Sequence, residues 1–146
     1  MAAADRKEVK TRVNDIYYKK WVKRWNELQT CRQTKVFYPE IIDYSSYFLK
    51  LDRVKLSRII QFITGHCFLN RHNSLTNSSI DPTCRLCLEE EEEPRHIIFE
   101  CPALAVERNK YGFRVSNFPF TWSPEGLDGF LSDPNMSSLF DNPGIE

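Results

Sequence analysis

Residues 84–101 read Cys84-Arg-Leu-Cys87-Leu-Glu-Glu-Glu-Glu-Glu-Pro-Arg-His96-Ile-Ile-Phe-Glu-Cys101. A Cys-x2-Cys pair at the tip of a turn points two thiolates at one place, as a tetrahedral ion requires. His96 and Cys101 then supply the other two ligands from the segment that follows. Three sulfurs and one nitrogen make a closed site with no position left for water, the structural rather than the catalytic pattern. The expected ion is one Zn2+, whose binding contributes on the order of 10–16 kcal/mol to folding of such a segment. The alternative is a chance spacing of four residues. Against it, Glu89–Glu93 cannot form a core and Pro94 breaks a helix across the gap, so something else must hold Cys87 near His96. The acidic run itself reads as a solvated loop rather than as a second cation site.

Towards the N-terminus, Asn77-Ser-Ser-Ile-Asp-Pro82 reads as a loop entering the motif, and a short helix is expected over about 67–73. Before it, Asp52 suits an N-cap for a helix through Val54, Leu56, Ile59, Ile60 and Ile63, with Gly65 as its C′ stop. Residues 33–49 read as irregular: Val36, Phe37 and Tyr38 favour extended backbone, and Pro39 limits it to an edge or connection. The first helix is expected over about 7–29. Val9, Val13, Ile16 with Tyr17, Trp21, Trp25 and Leu28 recur at steps of three and four, implying a buried face. Cys31 reads as a packed thiol. Towards the C-terminus, Pro102 opens a helix through Leu104, Val106, Arg108 and Tyr111 that ends near Gly112. Two short helices follow, from Pro124 to Leu131 and near Asn135–Phe140. The aromatic tail, with Phe118, Phe120, Trp122, Phe130 and Phe140, is expected to fold back. The sum is a mainly α protein, a small helical bundle with an appended CCHC zinc-binding subdomain. Its divisions are a basic helical region at 1–76, the CCHC module at 77–115 and an aromatic, proline-rich tail at 116–146.

The chain has 146 residues, 41% hydrophobic and 27% charged, which are ordinary globular values. No apolar run approaches the roughly 18 residues of a transmembrane helix, so no membrane partner is expected. The first five residues lack the apolar core of a signal peptide. Five cysteines fit poorly with a closed disulfide framework. These features point to an intracellular, nuclear or cytoplasmic, location where thiols stay reduced. The net charge of zero hides a gradient: residues 1–35 carry ten Lys/Arg against four Asp/Glu, and residues 76–101 carry two against seven. The basic head, with Lys10, Lys19, Lys20, Lys23 and Arg24, suits phosphate, although such residues also serve simply as a solvated helix face.

Several stretches occur together in order: Arg32-Gln-Thr-Lys35, Ile63-Thr-Gly-His66, Phe68-Leu-Asn70 with His72, and Cys84-Arg-Leu-Cys87…His96…Cys101-Pro-Ala-Leu104…Arg108. This order resembles the C-terminal region of Jockey-like non-LTR retrotransposon polyproteins, beyond the reverse transcriptase and ribonuclease H domains, over about residues 15–115. The resemblance implies a zinc-knuckle-like module that helps a polymerase engage RNA or DNA, with Cys84, Cys87, His96 and Cys101 as metal ligands. It also implies that the polymerase aspartates and ribonuclease H carboxylates would precede residue 1. No enzymatic activity is therefore expected of this chain. A Glu-Thr pair usual before the histidine in that family is missing here, which suggests a diverged or decaying copy, or a domesticated fragment.

Two functions follow as expectations. One is a non-catalytic module assisting RNA or DNA binding through Lys10, Lys19, Lys20, Lys23 and Arg24, with Arg53, Lys55, Arg58 and Arg71 adding positive surface. The other is a zinc-stabilised scaffold meeting a protein partner through the acidic loop or the aromatic tail. A nuclease built on His66 and His72 is the weakest case, because no acidic partner is singled out for them.

Overall fold

A computed structural model describes residues 5–113 and 122–140. The described chain is mainly helical, and an isolated antiparallel bridge, Thr83 to Glu91, is its nearest approach to sheet. The helices are α1 (Arg6–Glu27), α2 (Arg32–Phe37), α3 (Ser45–Phe48), α4 (Arg53–Thr64) and α5 (Asn70–Thr76). After the cysteine–histidine loop come a π-helical turn (His96–Glu100), a 3-10 turn (Pro102–Leu104), α6 (Ala105–Lys110), α7 (Pro124–Ser132) and α8 (Pro134–Phe140).

Helix α4 forms as its sequence dictates. The Asp52 carboxylate accepts from the N–H groups of Val54 and Lys55, both at 2.9 Å, satisfying two of the donors a helix start leaves open. Gly65 closes the helix at φ +80°, a left-handed conformation that glycine adopts without steric cost. Ile59, Phe62 and Ile63 are buried. Around them pack Phe37 of α2, Ile97, Ile98 and Phe99 of the π-helical turn, and Leu127, Phe130, Leu131 and Phe140 of α7 and α8. Phe37 meets Phe62, Phe99 and Trp122 with ring centroids 5.6–5.9 Å apart, the separation at which edge-on aromatic pairs attract.

Four expectations need correction. Residues 36–38 are not extended: Val36 and Phe37 finish a helix, because burial of Phe37 under α4 outweighs local β-propensity. Tyr38 leaves that helix just before Pro39, where α-helical backbone is sterically disfavoured. The helix expected over 67–73 begins three residues later, at Asn70, whose N–H is taken by the Glu92 carboxylate at 2.9 Å. Cys31 is exposed rather than packed, and stands at φ +59° ahead of α2. The largest difference is in α1, a helix of 22 residues with no buried residue. Val9, Val13, Ile16, Tyr17 and Trp21 are all exposed, from 43% at Val13 to 67% at Tyr17. Contact with the rest of the chain comes at its last turns, where Trp25 Nε1 donates to the Tyr38 carbonyl at 3.1 Å and Lys35 donates to the Leu28 carbonyl.

The C-terminal helices complete the core. Ser123 caps α7 by accepting from Gly126 N–H at 3.0 Å, with Pro124 at the first helical position. Gly129 lies so near Tyr111 that a Cβ there would stand 2.8 Å from its ring. Long-range ties bind this end to the earlier helices: Trp122 Nε1 donates to the Phe37 carbonyl at 2.6 Å and Tyr47 Oη to Asp128 at 3.2 Å. The tail residues Phe118 and Phe120 lie outside the described residues.

Candidate metal centre

The loop that presents the first two thiols is a tight reversal. Cys84 N–H donates to the Glu90 carbonyl at 2.7 Å and Glu92 N–H to the Pro82 carbonyl at 2.8 Å, clamping both sides of the loop. Leu88 N–H returns to the Cys84 carbonyl at 2.9 Å. Closing that turn places Leu88 at φ +61°, a left-handed conformation unfavourable for a residue with a Cβ. The turn holds Cys87 beside Cys84.

His96 and Cys101 come from the other side, at the two ends of the π-helical turn. In a regular α-helix, residues five apart diverge by about 140° around the axis. Here Cys101 N–H donates to the His96 carbonyl at 2.7 Å, and this wider i→i+5 closure lets both ligands face the same loop. Ile97, Ile98 and Phe99 are fully buried between them, so the hydrophobic core anchors the second half of the site.

The four ligand atoms lie within 4.8 Å of one another. Cys84 Sγ is 4.0 Å from Cys101 Sγ, and Cys87 Sγ is 3.3 Å from His96 Nε2. Thiolate bonds of about 2.3 Å in a tetrahedron require ligand separations of about 3.8 Å, so the cluster fits a four-coordinate ion. The thiols occur free, with no disulfide among the described residues. Burial raises the Cys84 and Cys101 thiols, the latter to about 12, against the pull of backbone N–H groups at Leu86, Cys87 and Ala103. At Cys87 burial also pulls upward, but the N–H groups of Glu89 and Glu90 and the adjacent thiols prevail and lower it. Each sulfur thus meets backbone N–H groups two or three residues ahead, an arrangement that stabilises thiolates. His96 turns Nε2 towards the thiols, while its Nδ1 is buried without a hydrogen-bond partner.

No family model, curated protein or solved structure matches the chain. What the site can do therefore rests on its own geometry, and that geometry shows a cluster able to hold a metal ion.

Sequence reasoning missed Glu92. Four of the five consecutive glutamates are at least partly exposed, but Glu92 is fully buried. Its carboxylate accepts from Arg85 N–H at 2.8 Å, from the Arg85 guanidinium at 2.7–3.0 Å and from Asn70 N–H. Asn70 Nδ2 in turn donates to the Thr83 carbonyl at 2.9 Å. The Phe68-Leu-Asn70 stretch is thereby fastened to the metal loop. Nothing in a run of five identical residues singles out this one; the usable signal was Arg85, a lone cation between the two cysteines.

Lys10, Lys19, Lys20, Lys23 and Arg24 are all exposed on α1. His66 and His72 face each other with ring centroids 5.4 Å apart and are not part of the metal cluster. No described helix is long and apolar enough to cross a membrane.

Proposed function

We propose that Cys84, Cys87, His96 and Cys101 hold one structural Zn2+, and that the folded chain is a non-catalytic module that assists RNA or DNA binding within a retrotransposon-derived protein. The four-ligand cluster supports zinc: its three sulfurs and one nitrogen leave no open coordination position and match the preference of zinc for thiolate and imidazole. The observation that carries the nucleic-acid reading is α1, which presents Lys10, Lys19, Lys20, Lys23 and Arg24 to solvent along a helix with no buried residue. Binding of this kind is dominated by phosphate contacts. If all five side chains each neutralise one phosphate of a single strand, the logarithm of affinity falls with the logarithm of salt with a slope of about −3.5. The test is elemental analysis of protein purified without added metal, followed by RNA and DNA binding across a salt series. One zinc per chain and a steep slope that Lys19/Lys20/Lys23→Glu flattens are expected. Salt-independent or absent binding by the zinc-loaded chain defeats the reading.

The exposed Val9, Val13, Ile16 and Trp21 favour a second reading, a zinc-stabilised scaffold that meets a protein partner. Within the aromatic tail, Leu127, Phe130 and Phe140 are buried in the core. A stable protein complex retaining no nucleic acid distinguishes this reading from the first.

A further inference from the structure

Two sequence features remain outside the function just described, the Arg32-Gln-Thr-Lys35 and Thr64-Gly-His66 stretches, and the fold brings them together. The start of α2 lies against the end of α4. A Cβ on Gly65 would stand 3.1 Å from Gln33 Cγ, so a bare backbone is what admits the glutamine there. Between them opens a crevice of about 180 Å³, bounded also by α5 and by the segment Glu92–Pro94 that leads into the π-helical turn.

Its lining is rich in donors that have no acceptor. Gln33 Nε2 is buried without a hydrogen-bond partner. Among the described residues, the side chains of Arg32, His66 and His72 make no hydrogen bond or ion pair, and the two imidazoles sit 5.4 Å apart, centroid to centroid. Arg71 also lines the crevice, with its Nε engaged by Glu91 at 2.8 Å. Glu92 and Glu93 border it; the first is occupied by Arg85, and the second is the carboxylate an entering anion must avoid. A buried amide donor left unpaired is unfavourable. Guanidinium, imidazole and amide N–H groups converging on one space suit an oxyanion with several acceptor oxygens. A cation is poorly served there, because no third metal ligand joins the two histidines.

We infer that this crevice binds a phosphate group, through Arg32, Gln33, His66 and His72. The group is either the backbone phosphate of a nucleic-acid strand, a source that rests on the function proposed above, or a free phosphate, which does not depend on it. The site is separate from the basic face of α1 and from the zinc ligands.

The experiment follows the imidazole C–H resonances of the zinc-loaded full chain by NMR, first with inorganic phosphate and then with a single-stranded RNA lacking a terminal phosphate. Saturable shifts at His66 and His72, with His96 unmoved, are expected in at least one series. A response to RNA identifies backbone phosphate, and a response to inorganic phosphate alone identifies a free anion. Arg32 is exposed and His72 partly so, so His72→Ala and Arg32→Ala should keep zinc content and unfolding temperature while weakening the response at His66 about tenfold. The α1 variant Lys19/Lys20/Lys23→Glu should leave the phosphate response at His66 intact, which separates failure of this site from failure of the α1 reading. Absence of saturable shifts in both series, or shifts that both alanine variants leave unchanged, overturns the proposal.

Discussion

Helices α1 and α4 carry comparable apolar side chains at helical spacing, yet α4 buries three of its residues and α1 none. The angular arithmetic explains it. At 100° per residue, Ile59, Phe62 and Ile63 fall within about 100° of one another around the axis, a single stripe that can face one core. In α1, Val9, Val13 and Ile16 centre about 120° away from Trp21, Trp25 and Leu28. The stripe breaks near the middle of the helix, and Lys20 and Lys23 take over the face that the valines and isoleucine began. Only the second stripe turns towards the body, where Trp25 packs beneath Lys35 with its ammonium 5.4 Å from the ring centroid. Step counts of three and four establish a helix. They establish a buried face only when the steps stay in phase.

The contrast between an anchored body and an unanchored helix can be tested from its strongest element downward. Cys101→Ser, or a strong chelator, is expected to remove metal and with it on the order of 10 kcal/mol of coupled folding energy. Circular dichroism and thermal melts would then lose the body helices, and an unchanged melt would refute the metal clamp. Next in size is a matched pair of truncations. Phe62→Ala should lower stability by about 3–5 kcal/mol, whereas Trp21→Ala, at an exposed position, should stay within about 0.5 kcal/mol. Equal costs in urea unfolding would show that the α1 face is covered. Removing the cap with Asp52→Ala should cost about 1 kcal/mol, read by the same urea curves.

The smallest effect concerns acid. Hydrogen bonds from Lys110 and Tyr111 hold the Asp133 carboxyl at about 2, below its ordinary 3.8. The folded state therefore favours the ionised form, so its contribution is complete above 3.8 and is lost as pH falls through about 2. Asp133→Asn should be less stable than the parent chain near neutrality, and the gap should narrow on acidification. A gap that stays constant would remove the carboxylate from the account.

What could be read beforehand divides along physical lines. The two ends of α4 and the start of α7 were legible because Asp52, Gly65 and Pro124 act within a few residues of where they stand. The four candidate ligand positions were legible because metal chemistry restricts both residue type and spacing, and the structure brings their donor atoms within 4.8 Å of one another. Neither the helicity of Val36–Phe37 nor the burial of Glu92 was available locally. The first depends on Phe62, Phe99 and Trp122, and the second on Arg85 and Asn70. The π-helical turn is intermediate: the five-residue step from His96 to Cys101 does not suit an α-helix, and that mismatch was its signal.

The order of residues along the chain has a consequence for biosynthesis. The ligands span 84–101, while Trp122, Asp128 and Leu131, which bond back to Phe37, Tyr47 and Arg58, are made later. On the ribosome, the metal loop is complete before the segment that closes the core has been translated. If the four residues take an ion, a nascent chain can capture it while Phe62 and Ile98 still await their last neighbours from α7 and α8.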